Sequence, residues 1–568
     1  MLRFITRKAI PLIAIMSFLV SQSHAEEPKP LSLPEAIPTP LPPMIPPGVP
    51  SAPEVIPLDA APPLAPTEAA LEGCDGKCDG FNFKKIPPVR VLPPAGYYPI
   101  LPTKPGYYSL LDEIEGNFRE KPPKYGYPRF ALISPSFFDA DFRYLDDPKN
   151  KDHDFFDPIK RIHLGSNWLL SLGGQTSTRY MHETNSRLTR KENDYTLFRT
   201  RAYADLWYQD MFRIYGEFIG ADSIGYELNP LVIDRNRADI LNLFADVKIG
   251  EVQNAPVYAR IGRQELLLGS QRNISALDWA NTRRTFQGAR IMSTSEKVDY
   301  DLFWVQPVIP NARRLDSVDN NQNFFGSWLT YRPRKGDFLD LYWLFLDNTN
   351  VTRQQNINVA PTSVHTIGGR STGNRDGFLW EVEANVQLGE RGNEHIYAGS
   401  TSTGVGYNWA ENPLNPTFWL YYDYASGDRN PNQGNYNTYN QLFPFGHYYL
   451  GWVDLVGRQN IQDLNAHLYL YPTNYTTVWL QYHHFRLDQS RDALYNAGGA
   501  AIRRDATGRA GRNLGDEIDI VLNFHLSKHA DILTGYSRLF GGDFLRNTSG
   551  KNASINSDLF YFMYSYKF

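Results

Sequence analysis

The chain has 568 residues, a formal net charge of −4, 21% charged and 14% aromatic residues, and a mean hydropathy of −0.44. No basic excess points to a nucleic-acid partner, and no apolar run approaches the ~18 residues that a helical membrane span needs. The length exceeds what one ordinary core supports, but a large membrane barrel is compatible with it, because only alternate strand residues meet lipid while lumen and loops stay polar.

Residues 1–25 read as a secretory signal. Arg3, Arg7 and Lys8 precede a short apolar run over 10–20, and Ser23-His24-Ala25 is a small-residue cleavage site. Their removal takes the formal charge to about −7. No Cys follows the apolar run, so no lipid anchor is expected. Residues 26–78 form a proline-rich linker, read as a periplasmic spacer in extended polyproline II, with plain disorder as the alternative. Cys74 and Cys78 are expected to be a local disulfide or free thiols rather than a metal site, and no cofactor is expected. In residues 79–164, Tyr97-Tyr98, Tyr107-Tyr108, Phe137-Phe138 and Phe155-Phe156 are scattered among prolines, and Ser109 can cap one short helix. This pre-barrel segment is expected at the periplasmic mouth, with entry into the lumen as a plug the other possibility.

From Trp168 onward a two-residue period takes over. Phe198, Thr200, Ala202, Ala204, Leu206 and Tyr208 alternate with Arg199, Arg201, Tyr203 and Asp205. Leu241, Leu243, Ala245, Val247 and Ile249 alternate with Asn242, Phe244, Asp246 and Lys248. The stretches 212–218, 378–387 and 517–526 behave alike. Many strands run about nine to eleven residues, the length a tilted membrane-crossing strand needs. Residues 527–529 read as a short turn, whereas 347–363, 408–415, 427–446 and 487–512 read as long or polar loops. Residues 165–568 are therefore predicted to be an all-β, transmembrane, antiparallel up-and-down barrel of about 18 strands, a size that leaves an aqueous channel. In the last strand Phe560, Phe562, Tyr564, Tyr566 and Phe568 form a lipid face, with Tyr561, Met563, Ser565 and Lys567 toward the lumen. This strand must pair with the one near Trp168 to close the cylinder.

Several strings occur in a fixed order: Arg260-Ile261-Gly262-Arg263-Gln264-Glu265-Leu266, Asn281-Thr282-Arg283-Arg284-Thr285-Phe286-Gln287-Gly288-Ala289-Arg290, Ala425-Ser426-Gly427-Asp428, Gln459-Asn460-Ile461-Gln462-Asp463-Leu464 and Gly515-Asp516-Glu517-Ile518-Asp519. With these, residues 165–568 resemble the alginate-export family of outer-membrane β-barrels. The resemblance implies a monomeric channel that lets an acidic polysaccharide such as alginate leave the periplasm, with outer-membrane lipid, the polysaccharide or a small solute, and periplasmic export components as partners.

On the strand alternation, Arg199, Arg201, Arg213, Lys248, Arg260 and Arg290 point into the lumen, while Arg272, Arg283 and Arg284 lie in a loop that could crown or narrow it. These nine are the candidate pore-lining, anion-contacting residues, because guanidinium forks pair reversibly with carboxylates. Their competing fate is an ion-pair ladder, since Asp205, Glu217, Asp246, Asp299, Asp301, Glu381, Glu383, Asp423, Glu517 and Asp519 share the inward face. The bases concentrate early and several acids late, so a transverse field is a further possibility. His483 faces inward and His484 outward, and no Gly-x-Ser-x-Gly or His-Glu-x-x-His motif occurs, so no enzyme is expected. The 427–432 loop has oxygen ligands but lacks the closing Glu of a calcium loop. The functional expectation is passive export or diffusion of an anionic polysaccharide. A general or nutrient porin and a surface adhesion barrel are the alternatives.

Overall fold

The computed structural model describes residues 81–87, 90–122, 136–150, 154–550 and 554–568. The signal, the proline-rich linker and both cysteines lie outside the described residues.

Eighteen long strands form one antiparallel sheet. In chain order they are β1 (Trp168–Thr184), β2 (Asn193–Tyr208), β3 (Phe212–Ile224), β4 (Asn236–Val252), β5 (Ala255–Gln264) and β6 (Phe286–Thr294). There follow β7 (Val298–Ile309), β8 (Gln322–Tyr331), β9 (Phe338–Asn348), β10 (Thr362–Arg375), β11 (Phe378–Arg391) and β12 (Glu394–Asn408). The last six are β13 (Thr417–Ala425), β14 (Ile461–Thr473), β15 (Thr476–Leu487), β16 (Asn513–His525), β17 (Ala530–Gly541) and β18 (Ser557–Lys567). Each pairs with its sequence neighbour, and β18 pairs back onto β1 in the register Gln175↔Lys567 through Thr184↔Asp558. The sheet therefore closes and has no free edge. The Gly174 and Phe568 backbones exchange hydrogen bonds of 2.9 and 3.0 Å at the seam.

The alternation places side chains as the sequence suggests. Phe560, Phe562 and Tyr564 are outward and exposed, while Tyr561, Met563 and Ser565 are buried. Ile214, Phe218, Val382, Val386, Leu420, Ile518 and Ile520 continue the exposed apolar belt on other strands. A continuous belt of this kind around a closed sheet is stable only against lipid. Leu241 departs from the face that the alternation assigns to it. The β3–β4 ladder steps from Glu217↔Asn242 to Phe218↔Ile240, a bulge that leaves Leu241 unpaired. Leu241 then joins Asn242 on the buried side and Ile240 takes the outward place.

Connections alternate between two rims. The rim that carries the start of β1 and the end of β18 has tight turns such as 253–254, 376–377 and 474–475; the opposite rim has long loops, including 265–285, 426–460 and 488–512. Residues 408–415 were expected among the long loops. They lie on the turn rim, where the 409–416 connection receives the N-terminal segment: Asn415 Nδ2 donates to the Ile100 carbonyl at 2.7 Å, and Lys104 to that of Asn412. A sample folded in detergent is expected to migrate faster unheated than boiled on a denaturing gel, with a β-type circular dichroism spectrum. An unchanged mobility with a helical spectrum would contradict the barrel.

Candidate functional site in the lumen

The interior is not an open aqueous bore. Inserts from the loop rim and from the N-terminal part of the chain meet the inward faces of the strands. Loop 265–285 folds inward and packs Leu266, Leu268 and Ile274 with Phe303, Phe324 and Trp328 of the wall. Loop 426–460 brings in Tyr448, Tyr449 and Trp452, which are almost fully buried with Trp419, Trp479 and Tyr561. The third insert is the chain from Arg90 to Lys104. An aromatic core at protein-like burial thus occupies part of the space that barrel size alone would assign to water.

The third insert is tied down by polar contacts along its length. Arg90 forks onto Asp301 of β7 at 2.7 and 3.1 Å. Arg370 of β10 donates to the Pro94 carbonyl at 2.6 Å. Tyr97 is fully buried: its backbone N–H donates to the Tyr421 hydroxyl, its own hydroxyl donates to Asp423 at 3.0 Å, and its ring stacks on His467 at 3.8 Å. Tyr98 donates to the Gly373 carbonyl at 2.7 Å and accepts from the Trp419 indole at 2.8 Å. Just before them Gly96 lies against Arg272, where a Cβ would fall 2.4 Å from Nη2, so only glycine fits with the guanidinium in this place. Further on, Ser109 caps the short helix Leu110–Glu115 as its sequence suggests, accepting from the Asp112 N–H at 3.2 Å.

The predicted wall arginines form a ribbon of alternating charge. Arg213 grips Asp205 at 2.7 and 2.8 Å and lies 3.7 Å from Asp246. Arg260 grips the same Asp246 at 2.7 and 2.8 Å. Arg290 binds Asp301 at 2.7 Å, and Arg332 binds Asp299 at 2.6 and 2.8 Å. Arg260 and Arg290 are directly opposite in the β5–β6 register. Like charges so placed repel, and the carboxylates on either side offset that cost. Arg201 is fully buried on Glu217 at 2.7 Å, and Arg199 binds the Asp278 carboxylate of the inward loop at 3.1 Å. Lys248 faces the turn rim rather than the lumen centre, paired with Asp210 and Glu251 at 2.7 Å each.

The three loop arginines diverge. Arg272 is buried against Glu381 with Glu383 and Asp423 each 3.8 Å away, and its guanidinium lies 4.2 Å above the Tyr449 ring. Burial alone would pull its pKa down, but these carboxylates outweigh it and hold the charge. Arg283 binds Glu265 and Asp278. Among the described residues the Arg284 side chain donates hydrogen bonds to carbonyls alone, Pro444 at 3.1 Å and Ser275 at 3.4 Å, and burial pulls its pKa down to about 10.

A cavity of about 140 Å³ opens between the β2–β6 wall and the 136–143 stretch. Arg213, Arg260, Arg290 and Arg90 line it together with Asp139. The stretch is seated on the ribbon: Arg213 donates to the Phe138 carbonyl at 2.7 Å, and Arg260 lies 4.9 Å over the Phe138 ring. Burial raises the Asp139 carboxyl above its ordinary value, against the pull of those four arginines. For Glu517 and Asp463 arginine is not the partner. Glu517 accepts from the Val453 N–H at 2.9 Å, and Asp463 lies 2.8 Å from His483. Arg90, Asp139, Tyr97 and Arg370 escaped sequence reading. Arg370 alone carried a signal, the inward row Val364, Thr366, Gly368, Arg370, Thr372.

The sequence profile of a family described as alginate export matches residues 168–556. The chain belongs to the alginate export family. It is an outer-membrane β-barrel of the channel type, in contact with membrane lipid and solute. No curated protein matches the sequence. Among solved structures, the chain is similar to Pseudomonas aeruginosa OpdK with vanillate, at 10% identity and TM-score 0.47, covering 70% of this chain and 98% of that one. It is also similar to the outer membrane protein OprD of the same organism, at 11% identity and TM-score 0.45, covering 70% and 93%.

Within the family member described here, Asp246 serves two arginines at once. Replacing Asp246 with Ala is expected to cost about 3 kcal/mol or more, because Arg260 would stay buried without its partner. Asp246→Ala with Arg260→Ala should cost less than the two single changes together. Urea titration of the heat-modifiable band measures this, and strictly additive costs would show the pair to be uncoupled.

Proposed function

We propose that this barrel passes an anionic polysaccharide, alginate or a related polyuronate, across the outer membrane, and that the inserts hold it shut in the conformation described. Its turn rim faces the periplasm, where any periplasmic export component would meet it. The observation that carries the reading is Asp139 lining one cavity with Arg90, Arg213, Arg260 and Arg290. A carboxylate on a chain segment already occupies the place that a uronate carboxylate would take among these guanidinium groups. The aromatic rings of Phe137 and Phe138, lying on Arg201 and Arg260, correspond to the apolar face of a sugar ring.

The chemistry suits passage rather than capture. Each wall arginine is already paired, so an incoming carboxylate exchanges one charge-assisted hydrogen bond for another instead of gaining a new one. A row of such exchange sites, each weak, lets a polymer advance without being trapped. Passage requires the 90–104 segment to leave its contacts with β10, β13 and β14, and a polyanion competing for Arg90, Arg213 and Arg260 would favour that departure.

In planar bilayers the wild-type channel is expected to be anion-selective and to lose current when polyuronate is added on the turn-rim side. Arg260→Ala with Arg284→Ala should weaken that block. Tyr97→Ala with Tyr98→Ala should raise unitary conductance several-fold by loosening the insert, on the usual scale of lost buried contacts. Cation selectivity with indifference to the polymer would leave a small-solute porin in place of an exporter.

A further inference from the structure

At the loop rim a second, separate cleft of about 320 Å³ is built by four connections: residues 188–190, Gln355, the short hairpin of Ala493–Tyr495 with Ala501–Arg504, and residues Thr548, Ser549 and Ser554. Arg190, Arg503 and Arg504 line it with Thr548, Ser549 and Ser554, and no carboxylate lines it among the described residues. This sets it apart from the lumen ribbon, where Arg213, Arg260 and Arg290 each grip an acid. It also differs from its own rim, where Arg546 pairs with Asp543 and Arg512 lies 3.8 Å from Asp488.

Among the described residues the three guanidinium groups are held by neutral partners only. Arg190 Nη2 donates to the Ser549 carbonyl at 2.8 Å, Arg503 donates to the Ser549 hydroxyl, and Arg504 Nε donates to the Arg491 carbonyl at 2.8 Å. These contacts aim the side chains yet use only part of the five donors each guanidinium carries. Burial lowers the Arg503 pKa, and the positive charge of Arg190 lowers it further. Three like charges around one cleft with no counter-charge repel one another until an anion arrives. The loop that presents Arg190 is itself constrained: Asn185, Arg187, Leu188 and Arg190 all have positive φ, a conformation costly for residues other than glycine.

We propose that this cleft is an exterior subsite that binds the carboxylates of a polyuronate chain as it leaves the loop rim. The proposal rests on the transport reading above and adds a second contact region to it, outside the lumen. Successive uronates along the chain would meet Arg190 and the Arg503–Arg504 pair, each through two parallel N–H···O bonds.

The test uses the full-length protein in planar bilayers and in detergent, with an oligouronate of about ten sugars added on the loop-rim side alone. Isothermal titration should show binding that weakens with salt. Arg190→Ala with Arg503→Ala and Arg504→Ala should lower that affinity about tenfold or more, a shift of the size that lost charge-assisted contacts produce. Block from the turn-rim side and unitary conductance should stay unchanged, and Arg503→Lys with Arg504→Lys should retain most of the binding. The heat-modifiable gel shift controls for folding. Unchanged affinity in the triple variant overturns the proposal. So does wild-type channel that is blocked from the turn rim but indifferent at the loop rim, with the transport reading left standing. Indifference on both sides overturns both. Preference for phosphate-bearing lipid vesicles over oligouronate, lost in the triple variant, would assign the cleft to lipid phosphate instead and also overturn it.

Discussion

A charge inside a barrel that excludes water is costly unless an opposite charge or hydrogen-bond acceptors meet it, from the wall or from the segment that displaced the water. That constraint organises the lumen. Arg213, Arg260 and Arg290 take Asp205, Asp246 and Asp301 from neighbouring strands, and Arg90 arrives on the N-terminal segment to share Asp301. The wall is therefore complete only with the insert in place. Its own neutralisation binds the chain that closes it, so that the electrostatics of the closed conformation and the closure are one arrangement.

The same arrangement explains how a packed interior can belong to a channel. Barrel closure through β18 and β1 makes the wall independent of what fills it, since the ladders satisfy every strand edge. The inserts add contacts of another kind: tyrosine hydroxyls, backbone carbonyls and exchanged ion pairs, many of which an anionic polymer can replace in kind. A wall of strands holding inserts by replaceable polar bonds can open without losing its fold. An interior filled only by aliphatic packing could not do so at comparable cost.

The wall was legible in the sequence because its signal is periodic. Residues 198–208, 378–387 and 517–526 alternate strictly, and the terminal aromatics fix both the lipid face and the closing seam. The ion-pair ladder was legible as the competing fate of the inward arginines, because Asp205, Asp246 and Asp301 sit on the same face of adjacent strands. The inserts were not legible. Residues 90–104 have no period, and their partners lie far along the chain, as with Tyr97 and Asp423. Leu241 misled because a single bulge shifts the inward face by one residue, and the 408–415 turn because its length is set by what docks on it. Arg284 was chosen with its neighbours for its charge, yet it alone of the three loop arginines meets no carboxylate among the described residues.

Labelling of a cysteine at position 97 reports whether the N-terminal segment closes the lumen. With Cys74 and Cys78 changed to Ser, a Tyr97→Cys variant in membranes would be treated with a membrane-impermeant maleimide, with and without polyuronate. Strong protection is expected in the resting barrel, since Tyr97 is fully buried among Tyr421, Tyr448 and His467, with faster labelling once polymer is added. Rapid labelling without polymer, unchanged by its addition, would contradict the claim that the N-terminal segment closes the lumen.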